Sequence, residues 1–196
     1  MSELKEMAKV LILNAPPNSG KDTIADYLVA HHGYIKSSFK SALFELLYKV
    51  FSIDNPEKFM QVYYTREAKE QPCSLLRIGD RIMSPREALI FLSESVVKPL
   101  WGDAYFGTRA AQLIDSTTSN LYVFADGGFL AELIPLVDKV GAENITVAKI
   151  ERDGCTFVGD SRGYVDASSL GCNTFWVAND STIEEVAEGI HSRVVF

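Results

Sequence analysis

The 196 residues predict an α/β fold in three layers, in which a five-stranded parallel sheet carries helices on both faces. Short, continuous apolar runs at residues 10–13 and 121–125 are typical of strands that are covered on both faces. Helical patterns separate the runs, and strands that alternate with helices form parallel sheets. Ligands of such sheets bind beyond the carboxyl ends of the strands, so the loops at these ends are the candidate site.

Apolar periodicity predicts most of the other elements in chain order. Apolar residues at helical spacing predict helices at about 21–32, 39–51, 105–116 and 130–140. Further apolar runs predict strands near 34–35, 145–150 and 175–178.

Capping signals predict where two more helices begin. Ser84 is a suitable N-cap, Pro85 suits the first helical position, and Glu87 completes a capping box. This helix is expected to reach about residue 97. The last helix follows a turn at 179–180, with its cap at residue 181 or 182 and a glutamate as the capping partner.

These elements predict a single domain over residues 1–196 with two additions. From about residue 52 the chain becomes polar and aromatic, which predicts an acceptor-binding insert outside the main sheet over about 52–100. A segment rich in glycine, aspartate and serine predicts a lid-like loop over about 151–171.

Composition excludes several classes of protein. A net charge of −7, from 26 acidic and 19 basic residues, argues against a protein that coats nucleic acid. The three cysteines lie far apart without a CxxC spacing, so reduced thiols are expected and a structural zinc site is not. No apolar run is long enough to span a membrane, and a cytoplasmic protein is expected.

The loop after the first predicted strand resembles a phosphate-binding loop. Gly20 and Lys21 match the GxxxxGK[ST] pattern, whereas Ala15 and Asp22 depart from it. The backbone N–H groups of Asn18, Ser19, Gly20 and Lys21 are expected to form a nest for phosphate oxygens. The alternative is a plain strand-to-helix turn that contains a glycine.

Two carboxylates are candidate Mg²⁺ ligands. A carboxylate at Asp22 repels a triphosphate unless a cation lies between them, so Asp22 is a candidate, with the Thr23 hydroxyl as the alternative. Asp22 otherwise serves only the electrostatics of the helix N-terminus. Asp126 ends an apolar strand in the Walker B arrangement, where it orients Mg²⁺ or its waters, or else merely caps the next helix.

Three arginines are candidates for contact with phosphate groups. Arg86 stands at a helix N-terminus and suits the phosphate of an acceptor, or else pairs with a surface carboxylate. Arg152 and Arg162 lie in the predicted lid-like loop, where one of them would neutralise charge on a phosphoryl group in transfer. The alternative for both is a solvated, charged loop.

Further residues are candidates for the wall of an acceptor site. Ser38 and Phe39 follow the presumed second strand. Arg66 follows Tyr63 and Tyr64, and this group is suited to stacking on a base, although paired tyrosines are commonly packing residues.

Together these motifs resemble the deoxynucleoside monophosphate kinases of tailed bacteriophages, within the P-loop kinase superfamily. The resemblance is carried by 20–23 (Gly-Lys-Asp-Thr), 38–39 (Ser-Phe), 84–87 (Ser-Pro-Arg-Glu), Asp126 with Phe129 and Glu132, and 179–185, whose Asn179 would lie near the donor adenine. The sequence departs from the family pattern in two places: Gly128 replaces an arginine, and 93–95 (Ser-Glu-Ser) replaces Gly-Thr-Glu.

The resemblance implies transfer of the γ-phosphoryl group of ATP to the 5′-phosphate of a deoxynucleoside monophosphate, with Mg²⁺ as cofactor. Lys21, Arg152, Arg162 and Asp126 would be the catalytic residues. It further implies small nucleotides as partners, no polynucleotide and no membrane, and the host cytoplasm if a phage encodes the chain; the acidic surface is compatible with a monomer or a homodimer.

The sequence is also compatible with other functions. Within kinases, the acceptor is alternatively dephospho-coenzyme A or phosphomevalonate, or a polynucleotide 5′ end, which the acidic balance disfavours. The alternatives that are not kinases are a non-catalytic nucleotide-binding module and a structural interaction domain with a vestigial loop.

Overall fold

The computed structural model describes residues 7–118, 120–160 and 162–195. Its strands are β1 (Lys9–Asn14), β2 (Ile35–Ser37), β3 (Arg77–Ile78), β4 (Arg81–Ile82), β5 (Leu121–Phe124), β6 (Ile145–Glu151) and β7 (Asn173–Ala178). Its α-helices are α1 (Lys21–His32), α2 (Ser41–Val50), α3 (Pro56–Tyr63), α4 (Pro85–Ile90), α5 (Lys98–Trp101), α6 (Tyr105–Gln112), α7 (Leu130–Val140) and α8 (Ile183–Val195). A π-helical segment, Phe91–Val97, joins α4 to α5. Within the described ranges, no helix combines the length and the apolar character needed to cross a bilayer.

Five of the described strands form one parallel sheet in the order β2-β5-β1-β6-β7. The predicted fold class is therefore confirmed. Strand β1 is central and pairs with β5 on one side and β6 on the other. Because the strands are parallel, the segments after β1, β5 and β6 all leave from the same edge of the sheet.

The two faces of the sheet bury different residues. Leu11 and Leu13 of β1 pack with Ala148 of β6 against buried side chains of α1 and α8. Val10 and Ile12 point to the opposite face, as alternation along a strand requires, and α7 packs against β6 there. These strands are continuously apolar because both of their faces are covered.

The chain divides into two compact units. The first, Met1–Phe39 with Phe106–Phe196, contains the parallel sheet. The second, Lys40–Tyr105, is helical and carries the antiparallel hairpin β3–β4. The predicted insert over 52–100 falls within the second unit, and its role in acceptor binding stays a prediction.

The predicted capping box at the start of α4 is confirmed. The Ser84 hydroxyl accepts a hydrogen bond from the Glu87 N–H (3.2 Å), and the Glu87 carboxylate accepts one from the Ser84 N–H (2.8 Å). The bond from the Ser84 backbone is also the main reason that the pKa of Glu87 is lowered. The helix continues as predicted, but it changes to π-helical geometry from Phe91.

Two helices differ from their predicted bounds for local reasons. Helix α2 begins at Ser41 rather than near residue 39, because Lys40 is its N-cap and the carbonyl of Lys40 accepts from the Phe44 N–H (2.9 Å). Helix α6 ends at Gln112 rather than near 116. The Asp115 carboxylate accepts from the N–H (2.9 Å) and the hydroxyl (2.6 Å) of Thr117, a turn that competes with helix.

The packing of α1 against α8 brings His32 and His191 together, and this contact predicts a pH-dependent stability. The rings of His32 and His191 stack at 3.8 Å, His32 lies 2.7 Å from Glu188, and the Tyr34 hydroxyl lies 3.2 Å from His191 Nδ1. Burial first, and His32 second, lower the pKa of His191. The folded protein therefore resists protonation at His191 more than the unfolded chain does.

We expect the free energy of unfolding to fall as the pH drops below about 6.5, the ordinary pKa of histidine. His191→Gln is expected to show a smaller fall between pH 8 and pH 5.5, measured by urea unfolding. The value at pH 8, where histidine is neutral, serves as the control for the structural cost of the substitution. An equal fall in both proteins would contradict the prediction.

Candidate functional site

The loop between β1 and α1 has the backbone of an anion-binding nest. Asn18 (φ +66°) and Gly20 (φ +86°) adopt left-handed conformations, and the Ser19 hydroxyl donates to the Pro16 carbonyl (2.8 Å). The N-cap of α1 is Gly20, which has no side chain, so no side-chain oxygen of the cap accepts from the first turn. The backbone N–H groups of this turn are therefore suited to bind an anion.

Lys21 places a cation at this loop. Its side chain is almost completely buried, and its ammonium donates to the carbonyl of Pro16 (3.0 Å). A buried ammonium loses hydration and gains from an opposite charge brought close to it. The residue is thus arranged to attract an anion to the loop.

Asn179 and Arg152 reach the loop from the ends of β7 and β6. The Asn179 amide donates to the Ser19 carbonyl (2.6 Å), and Arg152 Nη1 lies 3.5 Å from the Asn18 carbonyl. A Cβ atom at Gly20 would stand 2.7 Å from Asn179 Nδ2, so the close approach requires glycine at this position. The structure therefore brings together Asn18, Gly20, Lys21, Arg152 and Asn179.

Two cavities adjoin this cluster. One, of about 360 Å³, is lined by Arg152, Asp153, Asn179, Asp180, Ser181 and Ile183. The other, of about 440 Å³, is lined by Pro16 and by residues of the predicted lid-like loop, among them Arg152, Phe157 and Tyr164. Arg152 borders both cavities and also contacts the loop between β1 and α1.

Asp126 connects the ends of β5 and β2. Its carboxylate accepts from the Ser38 hydroxyl (2.5 Å) and from the Phe39 N–H (3.2 Å). The Phe39 ring is buried and lies 4.7 Å from the ring of Phe124. The structure therefore brings three predicted site residues together, and Phe39 also serves as a packing residue.

Arg162 lies against Gly128 near the end of β5. Its guanidinium donates from Nε (2.9 Å) and Nη2 (2.6 Å) to the carboxylate of Asp160. These hydrogen bonds are the main reason that the pKa of Arg162 is raised, and attraction by Asp126 and Glu132 raises it further. The side chain of Arg162 thus covers Gly128, the position at which the phage-type kinases named above have an arginine of their own.

Asn14, the last residue of β1, has a structural role that was not predicted. Its amide nitrogen donates to the carbonyls of Gly127 (3.3 Å) and Gly163 (3.0 Å), and its oxygen accepts from the Val165 N–H (2.7 Å). The side chain is fully buried. Its polar character directly after an apolar run is the one sequence signal that marks this residue.

The proposed Mg²⁺ ligands offer oxygen donors of the kind that this ion prefers. Asp22 and Thr23 are exposed in the first turn of α1, and Asp126 is partly exposed. In the described part of the chain, no three histidine, cysteine or acidic side chains form a group suited to a metal. Mg²⁺ commonly uses one or two carboxylates with water and substrate phosphates, so this donor set fits the ion.

Two predicted acceptor residues belong to the second unit. Arg86 Nε donates to the carboxylate of Glu70 (2.7 Å), and both side chains are about half exposed. Arg66 is exposed after α3. The alternative stated for Arg86, pairing with a surface carboxylate, is therefore present in this structure.

No protein-family model and no curated protein matches the chain. A gluconokinase from Sinorhizobium meliloti 1021 has 11% identity and a TM-score of 0.46, over 97% of this chain and 93% of the other. Dephospho-CoA kinase from Campylobacter jejuni has 11% identity and a TM-score of 0.44, over 96% of each chain. A sugar kinase from Janibacter sp. HTCC2649 has 12% identity and a TM-score of 0.40, over 94% of this chain and 93% of the other. These values describe a distant likeness of the backbone.

Proposed function

We propose that the protein transfers the γ-phosphoryl group of ATP to the 5′-phosphate of a deoxynucleoside monophosphate. The β1–α1 loop is the observation that carries the proposal. Its left-handed residues at 18 and 20, its uncapped helix start and the buried Lys21 together make a site for a chain of phosphates at the ligand-binding edge of a parallel sheet.

The donor nucleotide is assigned to the first unit. The backbone of Asn18, Ser19, Gly20 and Lys21 would hold the phosphates, with Asp22 and Thr23 at the start of α1 beside them. The cavity of about 360 Å³ next to the loop would take the adenosine, with Asn179 and Arg152 on its wall. Asn179 supports this assignment because it also binds the loop itself.

Mg²⁺ would be held by Asp22 or Thr23 and by Asp126, directly or through water. When bound, it neutralises negative charge on the phosphate oxygens of the nucleotide. Asp126 also accepts hydrogen bonds from Ser38 and Phe39, so the same carboxylate positions the end of β2.

Charge neutralisation and alignment carry the proposed reaction. The acceptor phosphate is already an anion, so its oxygen attacks the γ-phosphorus without a strong general base, while the bond to ADP breaks. Lys21, Arg152 and Arg162 supply positive charge to the phosphoryl group in transfer. The predicted acceptor contacts are Ser38, Phe39 and Asp126 in the first unit and Arg66 and Arg86 in the second.

The test is ADP formation from Mg·ATP with each of the four deoxynucleoside monophosphates and with AMP, GMP, CMP and UMP. Turnover with at least one deoxynucleotide is expected. If none of the eight monophosphates supports ADP formation but dephospho-coenzyme A does, the acceptor is dephospho-coenzyme A and not a nucleoside monophosphate. A rise in melting temperature with ATP but no turnover on any acceptor would replace the kinase by a nucleotide-binding module.

Substitutions at the Arg86–Glu70 pair test the acceptor assignment. Glu70→Gln removes the carboxylate that pairs with Arg86, so the guanidinium is more available and the KM for the acceptor is expected to fall a few-fold. Arg86→Ala is expected to raise that KM about tenfold, with little change in the KM for ATP. Effects confined to ATP would remove Arg86 from the acceptor site.

A further inference from the structure

Gly128 has no conformational reason to be glycine. It is buried, and it is not among the residues with a left-handed backbone, so other residues could adopt its conformation. The position has no space for a side chain. A Cβ atom built there would stand 2.7 Å from Cδ and Cγ and 2.8 Å from Cβ of Arg162, closer than such atoms approach each other in proteins. Glycine at 128 therefore provides the room that the Arg162 side chain occupies.

Asp160 fixes Arg162 in that room. One carboxylate oxygen accepts from both the backbone N–H (3.0 Å) and Nε (2.9 Å) of Arg162, and the other accepts from Nη2 (2.6 Å). The backbone and the side chain of Arg162 are thus held by the same carboxylate. The pair is largely buried, with 17% of the Arg162 side chain and 10% of the Asp160 side chain exposed.

Asp160 does not use all of the hydrogen-bond donors of the Arg162 guanidinium. A guanidinium carries five N–H groups, and Asp160 accepts from two of the positions, Nε and Nη2. Nη1 and the second N–H of Nη2 form a further edge, which matches two oxygens of a phosphate group. Burying an ion pair brings little net stability by itself, so a second use of this arginine is the better explanation of the arrangement.

We propose that Gly128 and Asp160 form a seat that holds Arg162 at the end of β5, where its guanidinium binds a phosphate group of the substrates. In this arrangement Gly128 is the position that leaves room for the arginine, and Asp160 is a positioning residue. The binding role rests on the proposed phosphoryl transfer, whereas the seat itself rests on geometry within the first unit.

The seat is tested by a double-mutant cycle of Gly128→Ala and Arg162→Ala, read as stability without any substrate. Gly128→Ala is expected to lower the midpoint of urea unfolding in the wild-type background. In the Arg162→Ala background the effect should be clearly smaller, because Cγ and Cδ of the arginine are gone and only the contact with Cβ of residue 162 remains. Gly163→Ala is the control in the same loop, since a Cβ there meets nothing within 4 Å. Equal effects of Gly128→Ala in both backgrounds would overturn the seat.

The binding role is tested with inorganic pyrophosphate and with ATP, each measured by the ligand-induced shift in melting temperature. Gly128→Ala and Arg162→Ala are each expected to weaken binding of one or both about tenfold, and the double variant no further. Unchanged affinities in both variants, with coupling in stability, would overturn the binding role and leave Arg162 structural. This result does not depend on turnover, so it is separate from a failure of the kinase proposal.

The positioning role of Asp160 is tested by chemical rescue. In Arg162→Ala, millimolar guanidinium is expected to restore part of the lost affinity and turnover, because Asp160 and the space above Gly128 remain to hold it. Arg162→Ala combined with Asp160→Ala should show at least a fivefold smaller rescue, on the order of one lost charged hydrogen bond. Equal rescue in both proteins would remove Asp160 from its positioning role.

Discussion

Replacing Lys21 with methionine is expected to reduce turnover about 100- to 1,000-fold. The Lys21 ammonium is the positive charge that the β1–α1 loop itself supplies to the proposed phosphate site. Methionine keeps most of the aliphatic side chain but carries no charge. The measurement is the initial rate of ADP formation with saturating ATP and the preferred monophosphate. Near-normal turnover in a folded Lys21→Met protein would remove this loop from the donor site.

The same substitution is expected to leave the free energy of unfolding unchanged or higher. Lys21 is 8% exposed, so the folded protein bears the cost of removing an ammonium from water. The hydrogen bond to the Pro16 carbonyl is one of the contacts that offset this cost. A functional residue that costs stability is common at binding sites, because the site is arranged for its ligand rather than for the empty state.

Lys36→Met is the matched control for loss of a lysine charge. Lys36 lies on β2 and pairs with Asp26 at 2.6 Å, with 40% of the Lys36 side chain exposed. Exposed ion pairs contribute about 0–1 kcal/mol, so stability should change little and turnover not at all. A loss of turnover in this control would mean that overall charge, rather than the position of Lys21, governs the reaction.

The strands of the sheet were predictable because their signal is local. Each buried strand must present apolar side chains to both faces, and the runs at β1 and β5 show this directly in the sequence. The start of α4 was predictable for a similar reason, since a capping box involves residues only three positions apart.

The missed elements have weak local signals. Helix α3 is short, and its start depends on Asn55, whose side chain accepts from the Lys58 N–H (2.9 Å) ahead of Pro56. Strands β3 and β4 have two residues each, too few for a visible alternation. The π-helical geometry from Phe91 also has no signature in the order of apolar residues.

At the candidate site, the sequence predicts individual residues but not the contacts between them. The rule that parallel strands present ligands at one edge predicted that the β1 loop, Asp126 and the segment after β6 matter together. It did not predict that Asp126 binds Ser38, or that Arg162 lies over Gly128, because these contacts join residues 88 and 34 positions apart. Such pairings follow from the fold rather than from spacing.

Asn14→Asp is expected to lower the free energy of unfolding by about 2–5 kcal/mol at pH 7. The side chain is fully buried, and two of its three hydrogen bonds are donated by the amide nitrogen to carbonyl oxygens. A carboxylate at the same place donates neither bond and brings an oxygen against each carbonyl. The measurement is urea unfolding at pH 7.

The matched control is Asn55→Asp, the same chemical change where only acceptance is required. Asn55 accepts from the Lys58 N–H at the start of α3, and a carboxylate accepts that bond equally well near a helix N-terminus. Its stability is expected to change by less than about 0.5 kcal/mol. A comparable loss in both variants would show that the buried hydrogen bonds of Asn14 are not the cause.

The loss in Asn14→Asp should also depend on pH in a defined direction. Burial among carbonyls raises the folded-state pKa of the introduced carboxyl above its unfolded value of about 3.9. The folded variant then binds a proton more readily than the unfolded chain, so its deficit against the wild type shrinks as the pH falls from 7 towards 4. The protonated carboxyl also regains one donor for the carbonyl of Gly127 or Gly163. A deficit that stays constant over this range would indicate that the loop after β6 rearranges away from β1 rather than accommodating the new carboxyl. Nucleotide binding by the variant should show the same pH dependence. Asn14 joins the segment after β6 to strand β1, which leads directly into the β1–α1 loop.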